Sequence, residues 1–495
     1  ILRAYPAEEA RILSKIELNG TLTGVFINGD RLVVFEEDAS YETLRTLIKV
    51  YNVSDREKPD LKRTVYSNGS YFNSRMIGDY VYAIINRPAY LEDGEVDLPK
   101  VYSNDKVTEI PATQIYYSNI TDYGYAFTTV VAVNTQDDVE EPTVKPFLLG
   151  ATRNMYVSQS NIYITLPGQN LMALLDQMLG VSEVEATEIH RIHIENGQVD
   201  YQASGQVPGT PLNQFSMDEY NGYFRIATTT GHLGWGFGEA TSRNHVYVLD
   251  MNLNIVGRLE NLAPGERIYS ARFMGSRCYL VTFKKVDPLF VIDLENPANP
   301  MVLGQLKITG YSDYLHPYDE NHVIGIGKEA VEAEEGDFAW YQGVKISLFD
   351  VSDVENPKEI AKYEIGDRGT DSPVLSDHKA FLFDKSKNLL VIPVLVAEIN
   401  EAKYPNGVPP NTYGDYVWQG AYVFNITLEQ GLVLKGGITH IENSSDFKKS
   451  GYYFYSSYSV KRALYIDNVL YTISDKKIKM NSLEDLAEIN EIEIP

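Results

Sequence analysis

The sequence predicts an all-β protein, specifically a β-propeller built from four-stranded blades. Two repeating signals support this prediction. Short turns separate apolar strands, and an Asp or Asn ends a strand seven residues before a proline. The abundance of tyrosine (36 Tyr against 18 Phe) agrees with both signals, because Tyr favours strands and half-buried faces.

The first signal is a tight turn between two aromatic-rich runs. Asn-Gly and similar pairs supply the positive φ that a hairpin needs. The turns are Asn28-Gly29-Asp30, Gly78-Asp79, Ser160-Asn161, Asn221-Gly222, Gly275-Ser276, Glu320-Asn321, Lys387-Asn388 and Asp467-Asn468. A hairpin that recurs about every 45–80 residues is typical of propeller blades, which stack on their neighbours.

The second signal is a strand that ends in Asn52, Asp293 or Asp350, with Pro59, Pro300 or Pro357 seven residues later. The short polar side chain hydrogen-bonds nearby backbone and starts a turn. The proline then prevents further strand pairing. We assign these turns to the first and second strands of successive blades.

Together the signals predict one propeller domain over residues 1–495, with eight near-complete blades and a C-terminal half-blade, the first half of a ninth. The blades are expected at about 1–37, 45–87, 114–167, 187–230, 245–285, 288–328, 343–396 and 419–474, with 477–495 as the closing half-blade. Insertions are expected at about 87–113, 168–186, 329–342 and 397–418. The second contains an amphipathic stretch, Asn170–Gly180, that predicts a short helix.

The tail 477–495 is expected to pair with a segment outside residues 1–474. That segment would be upstream chain or a second copy, because an unpaired strand edge recruits strands.

Composition limits the partners. A formal net charge of −25 argues against nucleic acid and against anionic membrane surfaces. The single cysteine, Cys278, allows no intramolecular disulfide and is expected to be a small buried hydrophobic residue. No apolar run is long enough to cross a bilayer.

Several longer stretches carry a family resemblance. They are Tyr311–His322, Gly366–Ser372, Asp377–Phe383 with Ile392-Pro393-Val394, Asp287–Asp293 and Leu470–Lys479. The chain resembles the secreted β-propeller family distantly related to WD-40 repeats, which is found mainly in archaea. The resemblance implies a secreted or surface-attached propeller, with a signal sequence and at least one hairpin before Ile1. It brings no assigned reaction and no catalytic residues.

Chemistry-bearing side chains cluster near strand ends in the second half of the chain. They are His316, Asp319, Asp371, Asp377 and His378. Asp and His are metal ligands, and calcium is considered as a cofactor. Asp371, Ser372 and His378 also have the residue types of a hydrolase catalytic triad. However, the Gly-x-Ser-x-Gly motif that surrounds the nucleophile in such hydrolases is missing around Ser372. We expect these groups to bond loop backbone and hold blades together, so no catalytic, cofactor or metal residue is assigned.

Two other features concern the surface. The Gly-rich stretch Gly231–Gly238 opens no helix, and its Trp235 and Phe237 suit stacking on a sugar or a protein rather than phosphate binding. Asn-x-Ser/Thr acceptors predict glycosylation at Asn19, Asn68, Asn119 and Asn443. Asn52 and Asn425 match the acceptor pattern too, but they occupy the turn position filled elsewhere by Asp.

The leading hypothesis is a non-catalytic extracellular or cell-surface scaffold or recognition module. Its partners would be surface proteins, glycans or copies of itself, joined in the last case by strand pairing. One alternative is a secreted metal-dependent hydrolase or oxidoreductase with a site on one propeller face. The other is a calcium-stabilised structural surface protein.

Overall fold

The computed structural model describes residues 1–39, 44–92, 94–104, 106–117, 125–150, 152–168, 186–231, 241–284, 287–333, 338–443, 445, 447 and 453–495. Regular structure in these residues consists of strands and short 3₁₀-helices, so the all-β class is confirmed. The helices with defined bounds are Ala7–Glu9, Ala112–Gln114, Gln214–Ser216, Pro373–Leu375, His378–Ala380, Lys385–Lys387 and Glu401–Lys403. The stretch predicted as a helix, 170–180, and most of the Gly-rich stretch lie outside the described residues.

In the residues described, eight antiparallel sheets each contain four strands hydrogen-bonded in chain order. The first sheet is Thr21–Asn28, Arg31–Asp38, Arg45–Asn52 and Asp60–Asn68, and the second is Ser70–Ile77, Tyr80–Pro88, Ala126–Asn134 and Thr143–Leu148. The third is Asn154–Val157, Asn161–Gly168, Ala186–Glu195 and Gln198–Pro208, and the fourth is Met217–Tyr220, Tyr223–Thr230, Arg243–Leu249 and Ile255–Leu262.

The remaining sheets follow the same plan. The fifth is Arg267–Met274, Arg277–Phe283, Asp287–Asp293 and Met301–Ile308, and the sixth is Tyr311–Asp319, His322–Glu332, Ala339–Asp350 and Lys358–Ile365. The seventh is Leu382–Asp384, Leu389–Glu398, Asp415–Thr427 and Gly431–Ile438, and the eighth is Arg462–Ile466, Val469–Ile473, Lys477–Ser482 and Glu488–Glu493.

Short strands add to this frame. Lys100–Ser103 and Lys106–Glu109 extend the first sheet, so part of the predicted 87–113 insertion is sheet. Tyr116–Tyr117 pairs in parallel with the last strand of the second sheet. Two further pairs form separate two-stranded sheets, Leu2–Arg3 with Arg11–Ile12 and Leu91–Glu92 with Glu95–Val96.

The structure corrects how hairpins group into blades. The tight turns join the first and second strands of each sheet, and the Asp/Asn-to-Pro turns join the third and fourth. Val33 pairs with Val50, for example, so the end of the first predicted blade and the start of the second share one sheet. The turns occur where the sequence predicts them. The hydrogen bonds between hairpins, however, are made by strand residues whose types do not indicate a partner strand.

The same regrouping of hairpins changes the place of the tail, 477–495, in the fold. Val469 pairs with Ser482, and Lys477 pairs with Glu493, so 477–493 supplies the third and fourth strands of the eighth sheet. The tail is therefore neither a closing half-blade nor the start of a ninth blade. It pairs inside the chain, against the expectation of a partner outside residues 1–474.

The chain divides into two compact units. Within the described part, the first unit comprises residues 1–2, 12–231 and 245–258, and the second comprises 3–11, 241–244 and 259–495. In the first unit, consecutive sheets pack through buried aliphatic faces, as where Val33 and Val81 share one cluster and Ile84 and Ile164 the next.

In the second unit, Val291 and Phe349 belong to one cluster and Val391 and Leu470 to another. The eighth sheet also packs on Ala7, which is 1% exposed beside Tyr471. These faces bury the alternate apolar residues that the strands present.

Glycines mark the crossovers from one sheet to the next, a repeat that sequence reasoning overlooked. Positive φ occurs at Gly69, Gly150, Gly209, Gly265, Gly310 and Gly366. Gly310 has φ +74°, and a Cβ there would lie 2.2 Å from the Lys328 carbonyl oxygen. Gly209, at φ +82°, would place its Cβ 2.7 Å from the Thr229 oxygen. Only glycine fits such backbone without strain.

Candidate functional site

The structure brings together only some of the side chains that the sequence grouped as a candidate site: His316 and His378 lie close enough for their charges to interact. His316 packs against Phe381 with ring centroids 4.7 Å apart, and its Nδ1 lies 2.9 Å from the hydroxyl of Tyr314. Burial, with the nearby charges of Arg272 and His378, lowers the pKa of His316 to about 4. The imidazole is therefore neutral, and it forms part of an aromatic cluster between the sixth and seventh sheets.

The candidate aspartates are tied to neighbouring sheets. Burial would raise the pKa of Asp319, but hydrogen bonds from Lys385 and His322, each 2.7 Å long, outweigh it and hold the pKa at about 2. Asp377 accepts from the amide of Lys379 and from Arg462 of the eighth sheet. Both carboxylates act as braces between elements.

The triad considered from the sequence does not form. Ser372 Oγ donates to the carbonyl of Pro393 at 2.6 Å, and Asp371 Oδ1 lies 3.3 Å from Lys328 Nζ. The serine hydroxyl is therefore committed to backbone. Within the described parts of the chain, no three His, Cys, Asp or Glu side chains are grouped so as to hold a metal ion.

A different aspartate has the most perturbed environment in this region. Asp313 lies in the first strand of the sixth sheet, Tyr311–Asp319. Burial raises its pKa to about 7, although the charges of Lys328 and Arg267 lower it and that of Asp371 raises it further. About half of this carboxyl is protonated at neutral pH. Asp313 lies within a stretch that carries the family resemblance, and its residue type alone predicts no role for it.

Lys328 links the sixth sheet to the segment that leads into the seventh. Its ammonium donates to the Thr370 carbonyl and pairs with Asp371. The lysine side chain is 16% exposed, whereas that of Asp371 is 64% exposed. A half-buried titratable carboxyl, that of Asp313, and the exposed carboxylate of Asp371 thus interact with the same lysine.

Aromatic rings cover this end of the fifth and sixth sheets. Tyr311 packs against Tyr269 and Tyr341 with centroids 4.6 and 5.0 Å apart. The hydroxyls of Tyr269 and Tyr341 are 3.1 Å apart. Arg267 lies over the Tyr269 ring, 5.0 Å from its centroid. The rings form a rigid apolar body with polar edges.

Next to this cluster, two aromatic rings enclose a guanidinium. Arg368 lies 5.0 Å from the ring centroid of Trp340 and 4.4 Å from that of Tyr413. It also donates to the Tyr341 carbonyl at 2.8 Å and to the Tyr413 hydroxyl at 3.1 Å. The Tyr413 ring is held in place by these contacts and still remains 63% exposed.

Further tyrosines continue the surface toward the eighth sheet. Burial raises the pKa of Tyr416, and the charges of Asp371, Tyr413 and Tyr453 raise it further, so these groups are neighbours. Phe454 stacks on Phe447 with centroids 4.6 Å apart, which anchors the segment. Tyr453 and Tyr455 on either side are 88% and 84% exposed. We name Tyr341, Tyr413, Tyr416, Tyr453 and Tyr455 the tyrosine patch.

A shallow cavity of about 260 Å³ lies at the other end of the seventh and eighth sheets. Lys387, Lys435, Asn425 and Phe424 are among its lining residues. Lys435 donates to the Leu483 carbonyl and is therefore already used as a brace.

The glycosylation candidates occupy different settings. Asn19 and Asn443 are exposed, and Asn443 accepts from the amide of Ser445 at 3.0 Å. The Oδ1 of Asn68 is buried and accepts no hydrogen bond from the described residues. Asn119 lies outside the described residues. Asn52 Oδ1 accepts from the amide of Ser54, which is the structural turn expected there.

The fold is that of a β-propeller, and comparison with known families agrees. The sequence model of the beta propeller domain matches residues 1–486, so the chain belongs to that family. In the described residues, no helix has the length and apolar character of a membrane span.

Two similar proteins come from archaea. The chain is 30% identical to an uncharacterized protein of Methanocaldococcus jannaschii, over 96% of this chain and 75% of the relative. It is 29% identical to an uncharacterized protein of Archaeoglobus fulgidus, over 99% of this chain and 77% of the relative.

Among solved structures, the periplasmic gluconolactonase of Pseudomonas aeruginosa aligns over 74% of this chain and 91% of its own. The TM-score is 0.36 and the identity 9%, so this likeness carries no argument about fold or activity.

Proposed function

We propose that this protein is a non-catalytic recognition module, exported or displayed at the cell surface, that binds a macromolecular partner through the tyrosine patch. The observation that carries the proposal is the exposure of Tyr453 and Tyr455, at 88% and 84%, on a segment anchored by Phe454. A contiguous group of large aromatic side chains at the surface of a folded protein marks an interaction site, whereas single exposed rings do not.

The composition of this segment supports binding. Its sequence is Tyr453-Phe454-Tyr455-Ser456-Ser457-Tyr458. Tyrosine offers a large amphipathic contact area at a low cost in side-chain entropy, and serine adds adaptable hydrogen bonds, as in antibody binding loops. The packed rings of Tyr269, Tyr311 and Tyr341 supply the rigid base that such a surface needs.

The proposed location outside the cell rests on the resemblance to secreted propellers. It is also compatible with the exposed glycosylation acceptors at Asn19 and Asn443.

The test is binding of the purified protein to isolated cell envelopes of its source organism, measured by co-sedimentation. We expect saturable binding by the wild type. The double variant Tyr453→Ala/Tyr455→Ala should bind roughly tenfold more weakly, because central aromatic anchors dominate interface energies.

The matched control is Tyr90→Ala/Tyr117→Ala, which removes two tyrosines that are 72% and 67% exposed in the other unit. Envelope binding that is not saturable would contradict the proposal. So would an equal loss in the control variant.

One observation favours a second candidate, an enzyme that uses acid–base catalysis. Asp313, with a pKa near 7, is suited to exchange protons at neutral pH, and Lys328 and Asp371 lie beside it. A panel of chromogenic esters, phosphates and glycosides tests this candidate. Turnover that Asp313→Asn abolishes would support it, and turnover that survives Asp313→Asn would reject Asp313 as the catalytic group.

A further inference from the structure

The tyrosine patch already contains a cation held between aromatic rings. The guanidinium of Arg368 lies 5.0 Å from the Trp340 centroid and 4.4 Å from the Tyr413 centroid. A ring attracts a cation to its face because the face carries the negative part of the ring quadrupole. The arrangement shows that ring faces in this part of the surface are placed to receive guanidinium groups.

A carboxylate stands close to the exposed rings. Asp371 is 64% exposed and is one of the charges that act on Tyr416. Its lysine partner, Lys328, lies 3.3 Å away, so the carboxylate keeps a large area open to a second cation.

The chain as a whole carries a formal net charge of −25. Tyr413 and Tyr453 therefore present ring surface in the neighbourhood of the Asp371 carboxylate, on an acidic protein. Such a surface complements a basic partner in both charge and shape. An acidic partner would be repelled, and a neutral partner would gain binding energy from its contacts with the rings alone.

We infer that the tyrosine patch binds a segment of a partner protein that carries arginine or lysine side chains, with arginine preferred. The inference rests on the proposed function and specifies its partner. Arginine is preferred because its planar guanidinium stacks on a ring and hydrogen-bonds a carboxylate at the same time. A neutral glycan is the competing occupant.

The first experiment measures affinity for three synthetic Gly/Ser peptides that carry several arginines, several lysines, or several citrullines in the same positions. Citrulline keeps the planar shape of arginine and lacks its charge. Fluorescence anisotropy at about 0.15 M salt reduces the effect of distant charges, since the Debye length is then about 8 Å.

We expect the arginine peptide to bind more tightly than the lysine peptide, and the citrulline peptide to bind at least tenfold more weakly than arginine. Tyr453→Ala/Tyr455→Ala should weaken arginine-peptide binding roughly tenfold, the combined effect of two exposed cation–ring contacts. Asp371→Asn should also weaken it, whereas Tyr90→Ala/Tyr117→Ala should not. Equal binding of the citrulline peptide, or an equal loss in the control variant, would overturn the inference.

The second experiment repeats envelope co-sedimentation after the envelopes have been treated with protease or with periodate. Loss of binding after protease alone supports a protein partner. Binding that survives protease and is lost after periodate points to a glycan and overturns the basic-segment inference, while the proposed recognition function stands. Absence of saturable binding to untreated envelopes contradicts the proposed function itself.

Discussion

The pKa of Asp313 predicts a specific pH dependence of stability, which Asp313→Asn should remove. In the folded protein burial raises this pKa from an ordinary 3.8 to about 7, against the lowering effect of Lys328 and Arg267 and with the raising effect of Asp371. Below about pH 4 both folded and unfolded chains hold the proton, so the group does not affect the free energy of unfolding.

Between about pH 4 and pH 7 the unfolded chain releases the proton while the folded chain keeps it. The free energy of unfolding then falls by about 1.4 kcal/mol for each pH unit. Above the folded pKa the loss is complete, at about 4 kcal/mol from this one carboxyl. Asparagine has a similar shape and no charge, so the variant should not show this loss.

The assay is denaturant unfolding of wild type and Asp313→Asn across about pH 5 to pH 8 at constant ionic strength. The stability advantage of the variant should grow with pH and level off above pH 7. Asp415→Asn is the control, because it removes a carboxylate that is 82% exposed. A difference between wild type and Asp313→Asn that stays constant across this range would refute the assigned environment of Asp313.

Three further predictions concern the stability of the sheets. Gly310→Ala should destabilise the protein by several kcal/mol more than Gly29→Ala, since the new Cβ would lie 2.2 Å from a backbone oxygen at Gly310 and has nothing within 4 Å at Gly29. Tyr471→Phe removes a 2.6 Å hydrogen bond to the Ala4 carbonyl and should cost about 1 kcal/mol. Glu36→Ala should cost about 3 kcal/mol or more, because it leaves a buried ammonium and two amides without their acceptor. Denaturant midpoints check all three, and losses below 0.5 kcal/mol would contradict each.

The sequence predicted the hairpins but not the sheets. Some stretches favour a turn through their own residue types, as do Asn28-Gly29-Asp30 and the stretch from Asp350 to Pro357. Each of these turns occurs where the sequence predicts it. The pairing of Val33 with Val50 joins two hairpins through backbone groups that every residue carries. The residue types in the turns therefore could not predict that pairing. For the same reason they could not predict that the tail belongs to the eighth sheet.

The candidate site shows the same division. His316, Asp319 and Asp377 attracted attention because of their residue types. In the structure Asp319 and Asp377 bond to neighbouring elements, and His316 packs among aromatic rings. Asp313 was overlooked because a carboxyl pKa depends on its surroundings rather than on its identity. Tyr413 and Tyr453 come from different loops, and only the folded chain shows that both act on Tyr416.

Local backbone preferences and the alternation of apolar residues act over a few positions, so the sequence alone determined the all-β class, the turns and the recurrence of four strands. The tertiary structure decided which hairpins share a sheet, which aspartate side chain is desolvated, and which aromatic rings lie against Arg368. Those outcomes depend on contacts between residues far apart in the chain, whose energies arise only when folding brings them together.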